Sequence, residues 1–97
     1  MIRGTTPTIM FRLNDLDNED IKNIYFTIEQ GRNQLTKTEY EYENGVYHIK
    51  LTQEETLSFS EGKIKCQVKV LLLDGNVVAS SIKTLGMTDI LMEEVVP

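Results

Sequence analysis

Between Lys63 and Leu73 the chain alternates with a period of two, and this run constrains the fold more than any other. Ile64, Cys66, Val68, Val70 and Leu72 share one parity, while Lys63, Lys65, Gln67 and Lys69 share the other. Successive side chains of a strand point to opposite faces, so the run predicts a strand with one buried and one wet face. Asp74-Gly75 follows, a pair suited to the positive φ values of a tight primed hairpin turn. Val77, Val78 and Ala79 then begin the return strand, so the chain reads as a set of antiparallel hairpins.

The same rhythm recurs elsewhere. Pro7 ends a leading arm, and Thr8 to Leu13 reads as a strand with Ile9, Phe11 and Leu13 inward. Asn23 to Gln30 is a second strand, with Ile24, Phe26 and Ile28 inward. Gly31-Arg32-Asn33 closes a turn, and Gln34 to Tyr42 is a more polar strand. Its apolar parity is ambiguous between Leu35 with Lys37 and Thr38 with Tyr40 and Tyr42, as befits an edge. Asn44-Gly45 is another primed-turn signal, and Val46 to Leu51 returns with Tyr47, Ile49 and Leu51 inward.

Thr52 to Gly62 breaks the rhythm. Thr52 and Glu55 fit a capping box, which predicts one helical turn near residues 53–58 that drops Leu57 and Phe59 onto the open end of the core. The last long strand runs from about Asn76 to Leu85, and Gly86 breaks it. Beyond Met87, the segment carrying Ile90, Leu91, Val95 and Val96 among Asp89, Glu93 and Glu94 fits a short strand, a helical turn or a partner-seeking tail. Six to seven strands with one short helical turn predict an all-β fold, an antiparallel β-sandwich of immunoglobulin-like build in a single domain. The paired cysteines and tryptophan of true immunoglobulin domains are missing.

Net charge is −5, from 15 acidic and 10 basic residues, and the bases are scattered singly. Phosphate binding wants a basic patch, so a nucleic-acid partner is not expected. The longest apolar run, Val70 to Leu73, is far too short to span a bilayer, so no membrane partner is expected either. The N-terminal stretch lacks the apolar core of a signal peptide, which points to synthesis in a cytoplasm without cleaved-signal export.

Chemistry-bearing motifs are sparse. Cys66 is the sole cysteine, so no intrachain disulfide can form, and its parity places it inside as a small hydrophobe. His48, the sole histidine, lies on the wet parity of its strand and does not face Cys66 as a base would. The acidic run Asp15 to Asp20 begins like a calcium loop, but Asp20 stands where the turn glycine belongs and Phe26 where the bidentate glutamate belongs. Glu39, Glu41 and Glu43 alternate along one face at a spacing of roughly 7 Å, a solvated row rather than an acid/base pair. No serine has a glycine elbow and no glycine loop cradles phosphate, so neither enzyme chemistry nor any cofactor or metal is expected. Tyr25, Tyr40, Tyr42 and the inward Tyr47 are mostly structural in this reading; outward ones could meet a protein or a sugar.

Three stretches carry a family resemblance. "MIRGTTPTIMFRL" is a Gly-Thr-Thr-Pro arm running into a strand, "IKNIYFTIEQG" is the second strand, and "VYHIKLTQEETLSFSEGKIKCQVKVLLLDGNVVASS" joins a Leu-Thr-Gln-Glu-Glu-Thr turn, a long strand and an Asp-Gly hairpin. Over about residues 1–86 the chain resembles short proteins encoded in tail modules of phages and prophages of Gram-positive bacteria. The layout is similar to the N-terminal sandwich of phage baseplate upper proteins. The resemblance implies a virion-associated or assembly module, made in the host cytoplasm, that contacts other phage structural proteins and forms a homo-oligomer. It lends no catalytic residues.

On that reading the contacts fall at strand edges and chain ends, with Ile2 and Arg3 in the arm, Tyr40 and Tyr42, and Ile90 and Leu91 in the tail. Removing residues 1–6 or 90–97 is then expected to weaken assembly and leave the melting temperature nearly unchanged. The alternative function is a carbohydrate- or host-surface-binding module that uses exposed tyrosines.

Overall fold

The computed structural model describes residues 1–14 and 16–96. Its strands are β1 (Thr8–Phe11), β2 (Ile21–Gln30), β3 (Asn33–Lys37), β4 (Glu41–Glu43), β5 (Val46–Lys50), β6 (Gly62–Leu72), β7 (Val77–Ala79) and β8 (Lys83–Met87). A short helix, α1 (Gln53–Leu57), joins β5 to β6, and a 3₁₀ turn at Asn18–Asp20 leads into β2. The strand ladders are antiparallel and form two sheets, β1-β5-β4 and β3-β2-β6-β7, with β8 also paired to β6. This is the all-β antiparallel sandwich with one short helix that the alternation predicts.

The eight strands exceed the expected six to seven because two predicted strands are each divided. Gln34 to Tyr42 is not one strand: β3 pairs with β2 in the larger sheet, and β4 pairs with β5 in the smaller. The chain crosses between layers at Thr38-Glu39-Tyr40. Leu35 faces the core opposite Ile28, and Tyr42 lies opposite the buried Tyr47, so each of the two competing parities serves its own sheet. The ambiguity in the sequence is that crossing.

The final strand is likewise broken. Val70 pairs with Val78, but Ile64 pairs with Leu85, a register one residue longer, so the return strand carries an extra residue between β7 and β8. Ser80 accommodates it: its N–H donates to the Val68 carbonyl at 2.8 Å, and its hydroxyl accepts from the Val68 N–H at 3.0 Å. A second irregularity at Lys22 lets both Ile21 and Ile24 turn inward.

The turns differ in kind. Asn44 (φ 49) and Gly45 (φ 79) form the expected primed pair between Glu43 and Val46. At the other predicted primed turn only Gly75 has positive φ, at 91°, and the Gly75 N–H donates to the Leu72 carbonyl at 3.0 Å while Leu72 N–H reaches the Asn76 carbonyl at 2.8 Å. Leu73-Asp74-Gly75 is therefore a three-residue loop ending in a left-handed glycine. The Asp74 carboxylate is occupied in accepting from the Asn76 backbone and side chain.

One core fills the space between layers. β2 supplies Ile24, Phe26 and Ile28; the β5 segment supplies Tyr47, Ile49 and Leu51; β6 supplies Ile64, Cys66, Val68 and Val70. Phe59 closes one end, as expected, but Leu57 is only half-buried, and Thr56 is the helix residue that turns inside. The Thr56 hydroxyl donates to the Thr5 carbonyl at 2.9 Å, so its burial leaves no unpaired polar atom. Among the described residues no helix is long and apolar enough to cross a membrane.

The arm is not free. Arg3 N–H donates to the Thr88 carbonyl at 2.9 Å and Thr88 N–H to the Met1 carbonyl at 2.7 Å, so arm and tail pair side by side. Met1 packs on the core, and Pro7 accepts from Leu51 N–H at 3.0 Å. These contacts tie residues 1–6 to the sandwich, which argues against the expectation that their removal leaves the melting temperature nearly unchanged.

Candidate interaction surface

The two layers are unequal in width. Across the larger sheet lie β3, β2, β6 and the β7–β8 line, whereas the smaller has only β1, β5 and β4. β1 sits above the middle of the larger sheet, where the Phe11 ring stacks 6.3 Å from that of Phe26. Directly opposed residues of an antiparallel pair point to the same face. Val78, Lys83 and Leu85, opposite Val70, Cys66 and Ile64, therefore face the core side of the sheet. Val70 and Ile64 are 2% and 0% exposed, whereas Val78 and Leu85 remain 39% and 40% exposed. No described strand of the smaller sheet covers them.

The result is a groove. Ile9, Phe11 and Leu13 form one wall, Val68, Lys83 and Leu85 the other, around a volume of about 250 Å³. It continues into a recess of about 350 Å³ between Leu13 and Leu16 on one side and Val70 and Val78 on the other. β1 pairs only with β5 among the described residues, so its groove-facing edge presents unpaired backbone groups. A free strand edge above an apolar floor suits an added strand, because main-chain hydrogen bonds and side-chain burial can form together.

A second, polar hollow of about 440 Å³ lies by the smaller sheet, lined by Thr8, Lys37, Glu39, Tyr40, Glu41, His48 and Lys50. Glu41 and His48 are cross-strand partners. Lys37 is already committed to Glu55, with Nζ 2.8 Å from Oε1. Burial by itself raises the Glu55 pKa, but the Lys37 ammonium and the Thr52 N–H outweigh it and hold the carboxyl below its usual value.

The six residues singled out from sequence do not converge. Arg3 is spent internally: its guanidinium donates to the Phe59 carbonyl, to the Leu57 carbonyl at 3.2 Å, to Asp89 at 2.6 Å and to Glu93 at 2.7 Å. The Glu93 and Asp89 hydrogen bonds raise the Arg3 pKa further, and the Arg3 bond in turn lowers that of Asp89. Ile90 is half-buried and lies where a Cβ on Gly4 would be 3.5 Å from it, so it fastens the tail to the arm. Ile2 is 48% exposed, while Leu91 is fully solvent-facing. Tyr40 packs on the core with its ring 5.6 Å from Tyr47, and Tyr42 sits 4.8 Å from the same ring while 44% exposed. Tyr47 is buried, and burial, with Tyr42 and Tyr40 nearby, raises its pKa; its hydroxyl donates to Asn18 Oδ1 at 3.0 Å.

Cys66 lies beneath the groove, and burial pushes its thiol above the ordinary value. His48 belongs to the other sheet, so the two form no nucleophile–base pair. Asp15, the first residue of the calcium-like run, lies outside the described residues, and Asp17 to Asp20 enter the 3₁₀ turn. Among the described residues no cluster of three metal-ligating side chains occurs. The groove itself was not anticipated from sequence. Its only local signals are the adjacent apolar pair Val77-Val78 and the Ser80-Ser81 interruption, and neither reveals that the opposing sheet is a strand narrower.

No protein-family model matches the chain, and no curated protein matches it in sequence. Its fold is similar to part of a solved structure, a candidate glycoside hydrolase from Bacteroides vulgatus ATCC 8482, with a TM-score of 0.59 and 13% identity. The likeness covers 92% of this chain and 16% of that one. At that identity it concerns the sandwich alone.

Proposed function

We propose that the chain is a non-enzymatic structural or assembly module of a phage or prophage tail or baseplate, working through protein–protein contacts. The observation that carries the contact reading is the free edge of β1 above the apolar floor of Val78 and Leu85. A soluble domain gains nothing from holding a strand edge open over aliphatic side chains unless another chain covers both. The phage context comes from the sequence resemblance over residues 1–86, and with it come other phage structural proteins as partners and the bacterial cytoplasm and virion as its places of work. The test is mass spectrometry of tails and assembly intermediates from an induced lysogen carrying the gene. The wild-type chain is expected in one of these fractions and Leu85→Lys is expected to be depleted. Absence of the wild-type chain from both would remove the reading.

A second reading is a carbohydrate-binding module. It is favoured by Tyr40 lining a polar hollow beside His48, Glu39, Glu41 and Lys50, and by the sandwich likeness to a candidate glycoside hydrolase. Glycan-array binding that disappears with Tyr40→Ala would support it, and an array with no binding would end it.

A further inference from the structure

Resting on the docking reading above, we infer that the groove beside β1 takes the C-terminal segment of a second copy, around residues 91–96, as an added strand. The width of the opening selects a single strand. The larger sheet exceeds the smaller by one strand position, so a whole second sheet laid against β1 would meet the projecting β7–β8 line, whereas one extended segment fits above it.

The tail has the matching chemistry. Leu91, Met92, Val95 and Val96 are 104%, 55%, 48% and 47% exposed, an apolar content that its present position does not bury. In an extended conformation Met92, Glu94 and Val96 share one face, while Ile90 stays as the anchor against Gly4. With that face down, two apolar side chains meet the floor and Glu94 can meet Lys83, which lies opposite Cys66 and lines the groove. Neither Glu94 nor Lys83 makes an ion pair among the described residues. Donor and acceptor surfaces lie on the same chain, so exchange between two copies satisfies both.

The tail is also held by exposed bonds that can be given up. Gln53 makes two hydrogen bonds with Val96, at 2.7 and 2.8 Å, and Glu93 reaches Arg3 at 2.7 Å with its side chain 63% exposed. The Asp89–Arg3 contact and the Thr88 pairing with the arm lie before the exchanged segment and would serve as its anchor.

The experiment is light scattering on size-exclusion fractions of the full chain over a range of concentrations, with thermal melts of every variant. The wild type is expected to self-associate as concentration rises. Leu85→Lys, at an exposed position, is expected to stay monomeric, with a melt that matches the wild type in dilute protein. Lys83→Glu should weaken association roughly tenfold, the scale of losing one close charge pair. Combining it with Glu94→Lys should restore association. A wild type that stays monomeric would overturn the inference, as would association indifferent to both Leu85→Lys and removal of residues 90–97. A monomer that is still found in tails, and is lost from them with Leu85→Lys, also overturns the second-copy occupant while leaving the docking reading in place.

Discussion

Thr52 and Glu55 stand three residues apart, and each satisfies the other's backbone. The Glu55 N–H donates to the Thr52 hydroxyl at 3.1 Å, and the Thr52 N–H donates to the Glu55 carboxylate at 2.8 Å. A five-residue helix has little propensity of its own, so this cap decides whether it forms. Thr52→Ala is expected to cost about 1 kcal/mol, read as a shift in urea midpoint. Glu55 also gives a pH signature. Its folded pKa lies below the ordinary 4.5, so its contribution is fully present above that value and is lost as the pH falls through the lowered one. Glu55→Gln should therefore shrink the stability difference between neutral and acidic solution, measured by urea unfolding at each pH. The capping box was legible in the sequence because its partners are local. The role of Arg3 was not, because its partners Leu57, Phe59, Asp89 and Glu93 lie 54 to 90 positions away.

Among the elements, the alternating runs located β2, β5 and β6 with the correct inward faces, since a half-buried strand writes its burial into its own parity. Where a strand breaks, parity becomes misleading. The β3–β4 crossing left two parities in one run, and the bulge between β7 and β8 reversed parity inside another. Ser80 is the residue that makes the second break tolerable. Ser80→Ala deprives the Val68 N–H of its acceptor, an expected cost of about 1–3 kcal/mol with faster hydrogen exchange at the Val68 amide. The arm belongs at this scale too. Removing residues 1–6 takes away the strand-like pairing with Thr88, the Arg3 contacts, one of the two acceptors of the buried Thr56 hydroxyl and the packing of Met1. A marked fall in melting temperature is expected on this deletion, against the near-neutral outcome that the sequence implied.

For the molecule as a whole, the decisive feature is that two sheets of different width enclose one core, which no single segment could announce. Ile64 and Leu85 make the consequence measurable, because they are direct cross-strand partners on the same face of the same sheet. One is 0% and the other 40% exposed, a contrast that fits a smaller sheet one strand narrower than the larger. Ile64→Ala should open a cavity and cost about 2–5 kcal/mol, whereas Leu85→Ser should change the urea midpoint by little, about 0.5 kcal/mol or less for a surface site of this kind. The pair separates two accounts of the groove. If Leu85→Ser in dilute protein proves as costly as Ile64→Ala, that face is already sealed within the monomer and has no room for an added strand. If it is nearly neutral when dilute and its cost grows with protein concentration, the side chain's burial comes from another chain, which is what a sandwich one strand short requires.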